Sequence, residues 1–508
     1  MTAGTRNNKP TMILSKNNLK NINTAGLQLP DESIFNLPEK VLQFGTGVLL
    51  RGLPDYFIDK ANRAGIFNGR VVVVKSTDTG STDAFAQQDG LYTIYSKGIE
   101  NGEEASEAIV CSAISRVLSA SGEWQAILEV AKSPDLQVII SNTTEVGIQL
   151  VKEDVRQQPP ASFPGKLLAV LYERYKAFNG SADSGLIIIP TELIVDNGKK
   201  LEAIVLELAH LNNLEHEFMD WLENHNTFCN SLVDRIVPGK PSKELMPNLD
   251  EQRGYTDDLH IMSETYSLWA IEGDEKVASV LSFSKADKGV VITPDIELFR
   301  ELKLRLLNGS HTLSCAVAIL SGFDTVKQAM DDESFLKFIS QLAFKEIIPA
   351  IPYQIEPQVA TDFARKVLDR YRNPNIRHEW LSISLQYTAK MKMRVLPLLL
   401  NHYKKHNYVP KNMALGFAAY FRFMKVKPAG DNTYVGSANG KNYTINDSAA
   451  AYFSKVWEAN DINKVVENVL NNRELWDTDL SVLPGFKEAL INNLEKIEAH
   501  GIAELTVA

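Results

Sequence analysis

Lys40-Val41-Leu42-Gln43-Phe44-Gly45-Thr46-Gly47-Val48-Leu49-Leu50-Arg51-Gly52-Leu53-Pro54-Asp55-Tyr56-Phe57 is the stretch that decides the fold. An apolar strand, Lys40–Phe44, runs into a glycine turn and then into a helical pattern, the order of a dinucleotide-binding βα unit. Further on, Arg70–Lys75 reads RVVVVK, a continuous β-branched run of the kind buried on both faces of a parallel sheet. Leu136–Ser141 and Gly185–Pro190 are further strands of this type, with helical patterns at Trp124–Lys132 and Leu167–Phe178. The alternation predicts an α/β fold with an N-terminal, Rossmann-like, doubly wound sheet.

From about Pro294 the texture changes. Glu297–Leu307, Leu313–Leu320, Ser334–Phe344, Asp362–Tyr371, Leu381–His402 and Ala449–Glu458 read as amphipathic helices with few strands between them. The expectation is therefore two domains, a sheet domain over residues 1–290 and a mainly α-helical domain over 291–508. Asn439-Gly440, between Tyr-containing runs in 426–447, predicts a surface hairpin within the second.

Composition narrows the function classes. The 508 residues carry 53 Lys plus Arg against 63 Asp plus Glu, a net charge of −10, with 44% apolar residues. No basic block is present, so nucleic acid is not an expected partner, because affinity for it comes from neutralising phosphates. Residues 1–37 lack a signal-peptide core, and no run approaches the ~18–20 apolar residues of a bilayer span, so no membrane partner is expected. Cys111, Cys229 and Cys315 are far apart, none in a C-x-x-C pair, which indicates neither a cysteine-based metal site nor a redox dithiol. Together these features predict a cytoplasmic protein; they leave its oligomeric state open.

Three constellations carry candidate chemistry. In the glycine turn, Gly45 permits a tight bend and Gly47 a close approach of backbone N–H groups to a pyrophosphate. Leu50 stands where a third glycine would complete G-x-G-x-x-G, and Lys75-Ser76 where an acidic residue would end the second strand. An ordinary βα turn fits the same spacing. Glu301–His311 places Lys303, Asn308 and His311 among leucines; on one α-helix the three would span an arc of ~140°. A surface Lys, an Asn-Gly cap and a half-buried His explain the same residues. Lastly, Thr191–Gly198 follows the strand at 186–189, where ligands sit in open α/β sheets, and also reads as an Asp-Asn-Gly turn.

Taken in order along the chain, these residues resemble the long-chain mannitol dehydrogenase family, the polyol-specific long-chain dehydrogenases. The resemblance lies in G-T-G-x-x-x-R at 45–51, Thr144-Glu145-x-Gly147, Asn197-Gly198, Val233-Asp234-Arg235-Ile236, Lys303-x4-Asn308-Gly-x-His311 and Arg372-Asn373-Pro374. Within the family the chain is most similar to members acting on keto-uronates, through residues 42–51, 88–93, 141–145, 187–194 and 232–237. The resemblance implies an NAD-dependent oxidoreductase of hexuronate catabolism, with metal-independent, reversible reduction of D-tagaturonate to D-altronate in a cleft between the domains. The partner is then a small keto-uronate or its aldonate. Other implied substrates are fructuronate (product mannonate) and a ketohexose (product hexitol), and a non-catalytic nucleotide sensor is the alternative outside enzymes.

By the same resemblance, Lys303 is the general acid/base, Asn197 and Asn308 hold the reacting oxygen, and His311 binds substrate. Cofactor contacts fall on Phe44, Gly45, Thr46, Gly47, Thr144 and Glu145. The chemistry is coherent, because reducing a ketone builds charge on oxygen that fixed amides stabilise and a proton donor neutralises. A lysine does so near neutral pH when desolvation or nearby positive charge lowers its pKa, for which the leucines around it, Arg300 and Arg305 are candidates. Polyol-oxidising members carry an Arg eight residues before a substrate-site Lys, and here the pair is Ser382 and Lys390. Arg300 stands where those members have a Glu. Both departures suit a uronate, whose carboxylate needs cations; Lys390 is the expected one, with Arg394, His378 and Arg235 as further candidates.

Overall fold

A computed structural model describes residues 12–77, 80–143, 147–240, 253–430 and 433–502. The chain divides into two compact units, residues 1–97 with 105–296, and residues 98–104 with 297–508. Thr144 and Glu145 lie outside the described residues.

The first unit is built on six parallel strands, β1 (Glu39–Phe44), β2 (Arg70–Lys75), β3 (Ile114–Ser119), β4 (Val138–Ser141), β5 (Ile187–Pro190) and β6 (Thr227–Phe228). Their order across the sheet is β3-β2-β1-β4-β5-β6, all parallel. This is the doubly wound order in which the chain leaves β1 first to one side and then to the other. The apolar runs read from the sequence are explained by burial on both faces. Leu42, Phe44, Val72, Val74, Ile139 and Ile188 enter one core, while Val41, Val71, Val73, Val138, Ile140 and Ile189 enter the other.

Helices α1 (Val48–Gly52), α2 (Pro54–Arg63), α3 (Trp124–Ala131), α4 (Phe163–Ala177), α5 (Asn197–Leu211) and α6 (His216–His225) follow the strands. The faces of α3 to α6 carrying Trp124, Leu167, Val205 and Trp221 cover one side of the sheet. Phe57 and Ile58 of α2 cover the other, together with residues of two smaller sheets. One of those sheets contains the long strands Tyr92–Glu100 and Glu103–Cys111, which the sequence reading had not separated from loop. The helix expected after the glycine turn is broken. Leu53 adopts φ −134°, ψ −78°, and Pro54 starts α2 afresh, since proline cannot continue the hydrogen-bond ladder of α1.

The second unit is mainly helical. At its centre α7 (Ser310–Leu320) crosses α10 (Lys411–Phe423), with α8 (Pro357–Arg372), α9 (Leu396–Lys405) and α11 (Phe486–His500) around them. Gly416 makes the crossing possible, because a Cβ there would lie 2.8 Å from the Leu313 carbonyl oxygen. Among the described residues three stretches are π-helical, 302–309, 342–347 and 391–395. The single helix expected over Leu381–His402 is therefore four pieces, interrupted also by Gln386 at φ +50°. Strands β7 (Val426–Pro428), β8 (Tyr434–Ala438) and β9 (Lys441–Ile445) form an antiparallel sheet. Asn439 and Gly440, both at positive φ, make the predicted turn. Among the described residues no helix is long and apolar enough to cross a membrane.

Candidate functional site

In the first unit, attention falls on the carboxyl ends of β1 and β4, the point where the strand order reverses. Gly45 has φ +131°, and a Cβ on it would lie 2.8 Å from Leu50 Cδ1 and 3.0 Å from the Asn142 carbonyl oxygen. The turn therefore lies flat against the loop after β4. At Gly47 a Cβ would meet no atom within 4 Å, so the backbone there is open to a ligand. A bend that only glycine permits, followed by exposed backbone at a switch point, fits the pyrophosphate of a dinucleotide. Thr46 is half-buried between the two glycines. Phe44 contributes backbone only: its ring is in the core against Phe163, and its carbonyl accepts from Asn142 N at 3.1 Å.

The loop after β4 is anchored by a residue of the Thr191–Gly198 segment. Glu192, 3% exposed, accepts from Thr143 N at 2.7 Å, Thr143 Oγ1 at 3.0 Å and Ser141 Oγ at 3.2 Å. Lys75, at the end of β2, turns back to donate to the Thr77 carbonyl. Beneath the glycine turn is a buried polar cluster. Gln43 Nε2 donates to Asp55 Oδ2 at 3.3 Å, and Arg51 Nη1 donates to the Leu259 carbonyl at 2.5 Å. Gln43 Oε1, Arg51 Nε and Asp55 Oδ1 have no protein partner. Burial pushes the Asp55 carboxyl up to about 7, against the hydrogen bond from Gln43 and the charge of Arg51.

Asn197 begins α5 and is 1% exposed. Its Nδ2 lies 3.0 Å from each of the carbonyls of Pro190, Glu192 and Ser231, and its Oδ1 accepts from Gly198 N and Ser231 N at 2.9 Å. The amide is a staple joining β5, α5 and the strand Ser231–Asp234, and it keeps no N–H for a substrate oxygen. That is a correction to the expected role. Gly198 is structural as well, since a Cβ there would lie 2.5 Å from the Cys229 carbonyl carbon. Arg235, another candidate for a carboxylate, is spent inside this unit. It donates to the carbonyls of Glu264 (3.0 Å) and Gly52 (2.6 Å) and to Ser96 Oγ (2.8 Å), and it stacks on Tyr56.

Lys303, Asn308 and His311 are together in the second unit. Leu302–Gly309 is π-helical, so hydrogen bonds run from i to i+5. Lys303 and Asn308, five residues apart, thus stand nearly one above the other, rather than ~140° apart as on an α-helix. Both are half-buried. Side chains satisfy carbonyls in and just after this irregular stretch. Tyr371 Oη donates to Leu307 O at 2.7 Å, Thr312 Oγ1 to Asn308 O at 2.7 Å, and Tyr387 Oη to Thr312 O at 2.7 Å. Arg305 pairs in two-pronged fashion with Glu301 (3.0 and 3.1 Å) and donates to the carbonyls of Met393 and Arg394, clamping the turn to the π-helical stretch Met391–Val395. Arg300 pairs with Glu297. Both arginines are thus paired with carboxylates.

His311 starts the regular part of α7 and is 7% exposed. Its ring stacks on Tyr371 at 4.0 Å and meets His378 and Trp380 edge-on at 5.2 and 5.9 Å. Neither His311 Nε2 nor Trp380 Nε1 has a protein partner. Burial holds His311 well below the usual histidine range, and His378, Arg370, Arg394 and Lys390 hold it further down. The imidazole is therefore neutral at physiological pH. Arg370, Tyr371 and Trp380 were missed in the sequence, although Arg370 and Tyr371 directly precede the Arg372-Asn373-Pro374 motif.

A polyol- or keto-sugar-handling dehydrogenase is the class this fold and site define, and comparison with known proteins places the chain within it. Residues 39–285 match the mannitol dehydrogenase Rossmann domain and residues 295–498 the mannitol dehydrogenase C-terminal domain. The chain belongs to the mannitol dehydrogenase family. It is 38% identical over 470 residues to the altronate oxidoreductase of Bacillus subtilis (strain 168), covering 92% of this chain and 94% of that one. To the altronate oxidoreductase of Escherichia coli (strain K12) it is 36% identical over 476 residues, covering 92% and 96%. Among solved structures it shares its fold with D-sorbitol dehydrogenase in substrate-free form (TM-score 0.80, 21% identity, 98% of this chain and 100% of that one). The same holds for Pseudomonas fluorescens mannitol 2-dehydrogenase in ternary complex with NAD and D-mannitol (TM-score 0.68, 22% identity, 98% and 99%).

Proposed function

We propose that this protein is an NAD-dependent oxidoreductase that interconverts a keto-uronate and its aldonate, D-tagaturonate and D-altronate. The observation that carries the chemistry is the stacked pair Lys303 and Asn308 on one π-helical turn, with neutral, buried His311 beginning the next turn. The identity of the relatives, altronate oxidoreductases over nine-tenths of the chain, supports the substrate.

Bound in the turn at Gly45 to Gly47, the nicotinamide cofactor would supply the hydride. The protein's own part is at the carbonyl oxygen. The Asn308 amide N–H donates to the oxygen as negative charge develops, and the Lys303 ammonium gives it a proton to complete the hydroxyl. In the reverse direction the Lys303 amine removes that proton. His311, uncharged, offers a hydrogen bond to a substrate hydroxyl without adding a cation beside the developing charge. Asn197 is left out of this set because its amide is consumed by backbone.

Steady-state assays with NADH and with NADPH on D-tagaturonate, D-fructuronate and D-fructose test the reading. Turnover of D-tagaturonate with NADH is expected to exceed the others by at least tenfold. Turnover of fructuronate or fructose without tagaturonate would reassign the substrate, and turnover with NADPH alone would reassign the cofactor.

A further inference from the structure

We propose that Tyr371 is a positioning residue for the reaction: its hydroxyl, with that of Ser310 beside it, holds the turn on which Lys303 and Asn308 stand one above the other. The inference rests on the roles proposed for those two residues and names what keeps them in register.

A π-helical turn does not support itself. Such turns are rare, frequent at functional sites, and persist where the surrounding structure over-determines them. Leu302 to Leu307 are leucines, a lysine and an arginine, all good α-helix formers, so the wider turn has to be held from outside it.

Tyr371, on α8, supplies that hold. Its Oη donates to the Leu307 carbonyl at 2.7 Å. Ser310, the first residue of α7, donates to the Leu306 carbonyl, and its Oγ lies 2.9 Å from Tyr371 Oη. Two hydroxyls thus grip two successive carbonyls where the π-helical stretch passes into α7. The Leu307 carbonyl belongs to the peptide that leads into Asn308. With its oxygen on Tyr371 the plane of that peptide is fixed, and its N–H is directed back along the helix toward the turn of Lys303. The next peptide is held as well, by Thr312 Oγ1 on the Asn308 carbonyl at 2.7 Å. Asn308 is therefore clamped on both sides of its Cα.

Two further features suit the phenol to this task. Tyr371 is 3% exposed, and burial pushes its phenol well above the usual tyrosine range, so it remains an O–H donor at every working pH. Its ring also stacks on His311 at 4.0 Å, so one side chain touches both the reacting turn and the start of α7. A phenylalanine at this position keeps the ring and the stack and deletes only the donor. The turn is then free to relax toward the α-helical pattern, in which Lys303 and Asn308 diverge. A misplacement of about 1 Å between reacting groups is enough to cost roughly 10² in rate.

The test compares Tyr371→Phe with Tyr443→Phe in the full-length protein. Tyr443 is the matched case elsewhere in the helical unit: its buried hydroxyl donates to the Phe423 carbonyl of α10 at 2.9 Å, and its ring stacks on Phe423 at 4.5 Å. Kinetics use the carbonyl substrate that the wild type reduces fastest, and thermal melting reports the folding of each variant. Tyr371→Phe is expected to lower kcat at least tenfold with KM within threefold, and Tyr443→Phe to leave both within twofold. In a Lys303→Ala background, Tyr371→Phe is expected to change kcat by less than threefold, because residues that act as a unit are not additive. A folded Tyr371→Phe protein that loses less than tenfold in kcat overturns the proposal. So does an equal loss in Tyr443→Phe, or a larger further loss in the Lys303→Ala background. If Tyr371→Phe does not fold, Ser310→Ala takes its place against the same limits. Full turnover by Lys303→Ala alone would instead overturn the reading on which the proposal rests.

Discussion

In the proposed reaction Lys303 acts on a substrate oxygen and not on the cofactor, so its removal would separate chemistry from binding. For Lys303→Ala, turnover is expected to fall by ~10²–10⁴, the usual worth of a positioned acid or base. NADH binding, measured by fluorescence titration, should stay within about twofold; equal loss of both would make the lysine structural. His311 beside it shows how burial selects a protonation state: a cation there would add a further positive group to Arg370, Lys390 and Arg394. The clustering of Lys303, Asn308 and His311 was legible, because the three fall within nine residues of sequence. Residue role was not always so. Asn197 and Arg235 fit the pattern by type, and only their hydrogen bonds reveal that the backbone already uses them.

At the scale of elements, β1, β2, β4 and β5 were read to within about two residues because parallel strands buried on both faces leave no alternative to continuous apolar sequence, whereas β3 and β6, which lack such a run, were not read. The π-helical stretches could not be read. Leu302–Gly309 has the apolar spacing of an α-helix, and the extra residue per turn is held by side chains far along the chain, Tyr371 among them. Close packing of α5 on the segment after β6 was equally hidden, since Asn197-Gly198 reads as a turn. That packing is testable through Gly198→Ala, whose added methyl would sit 2.5 Å from the Cys229 carbonyl carbon and 2.6 Å from Asn230 N. Backbone cannot yield as a side-chain tip would, and the expected loss is ~1–3 kcal/mol in urea unfolding.

Across the whole molecule, one buried carboxyl gives stability a pH dependence of unusual sign. Asp55 titrates near 7 in the folded protein and at 3.8 when free, so between those values the folded state holds a proton that the unfolded chain releases. Its contribution is full below pH 3.8 and is lost as pH rises through about 7. Asp55→Asn keeps an acceptor for Gln43 Nε2 and removes the titrating group. The melting advantage of this variant over wild type is expected to widen by ~2 kcal/mol from pH 5 to pH 8; a constant difference would show that Asp55 does not titrate there. The net charge of −10 foretold none of this, nor the cations about His311, because both are local arrangements that a sum over the chain erases.

The π-helical turn also bears on how this chemistry can be transplanted or aligned. Such a turn is an α-helix carrying one residue too many, and the same eight residues wound as a regular α-helix would set Lys303 and Asn308 ~140° apart. Length, as much as identity, is therefore inherited here. A graft of the segment proposed as catalytic into another helix would have to carry all eight residues and the tyrosine that holds them.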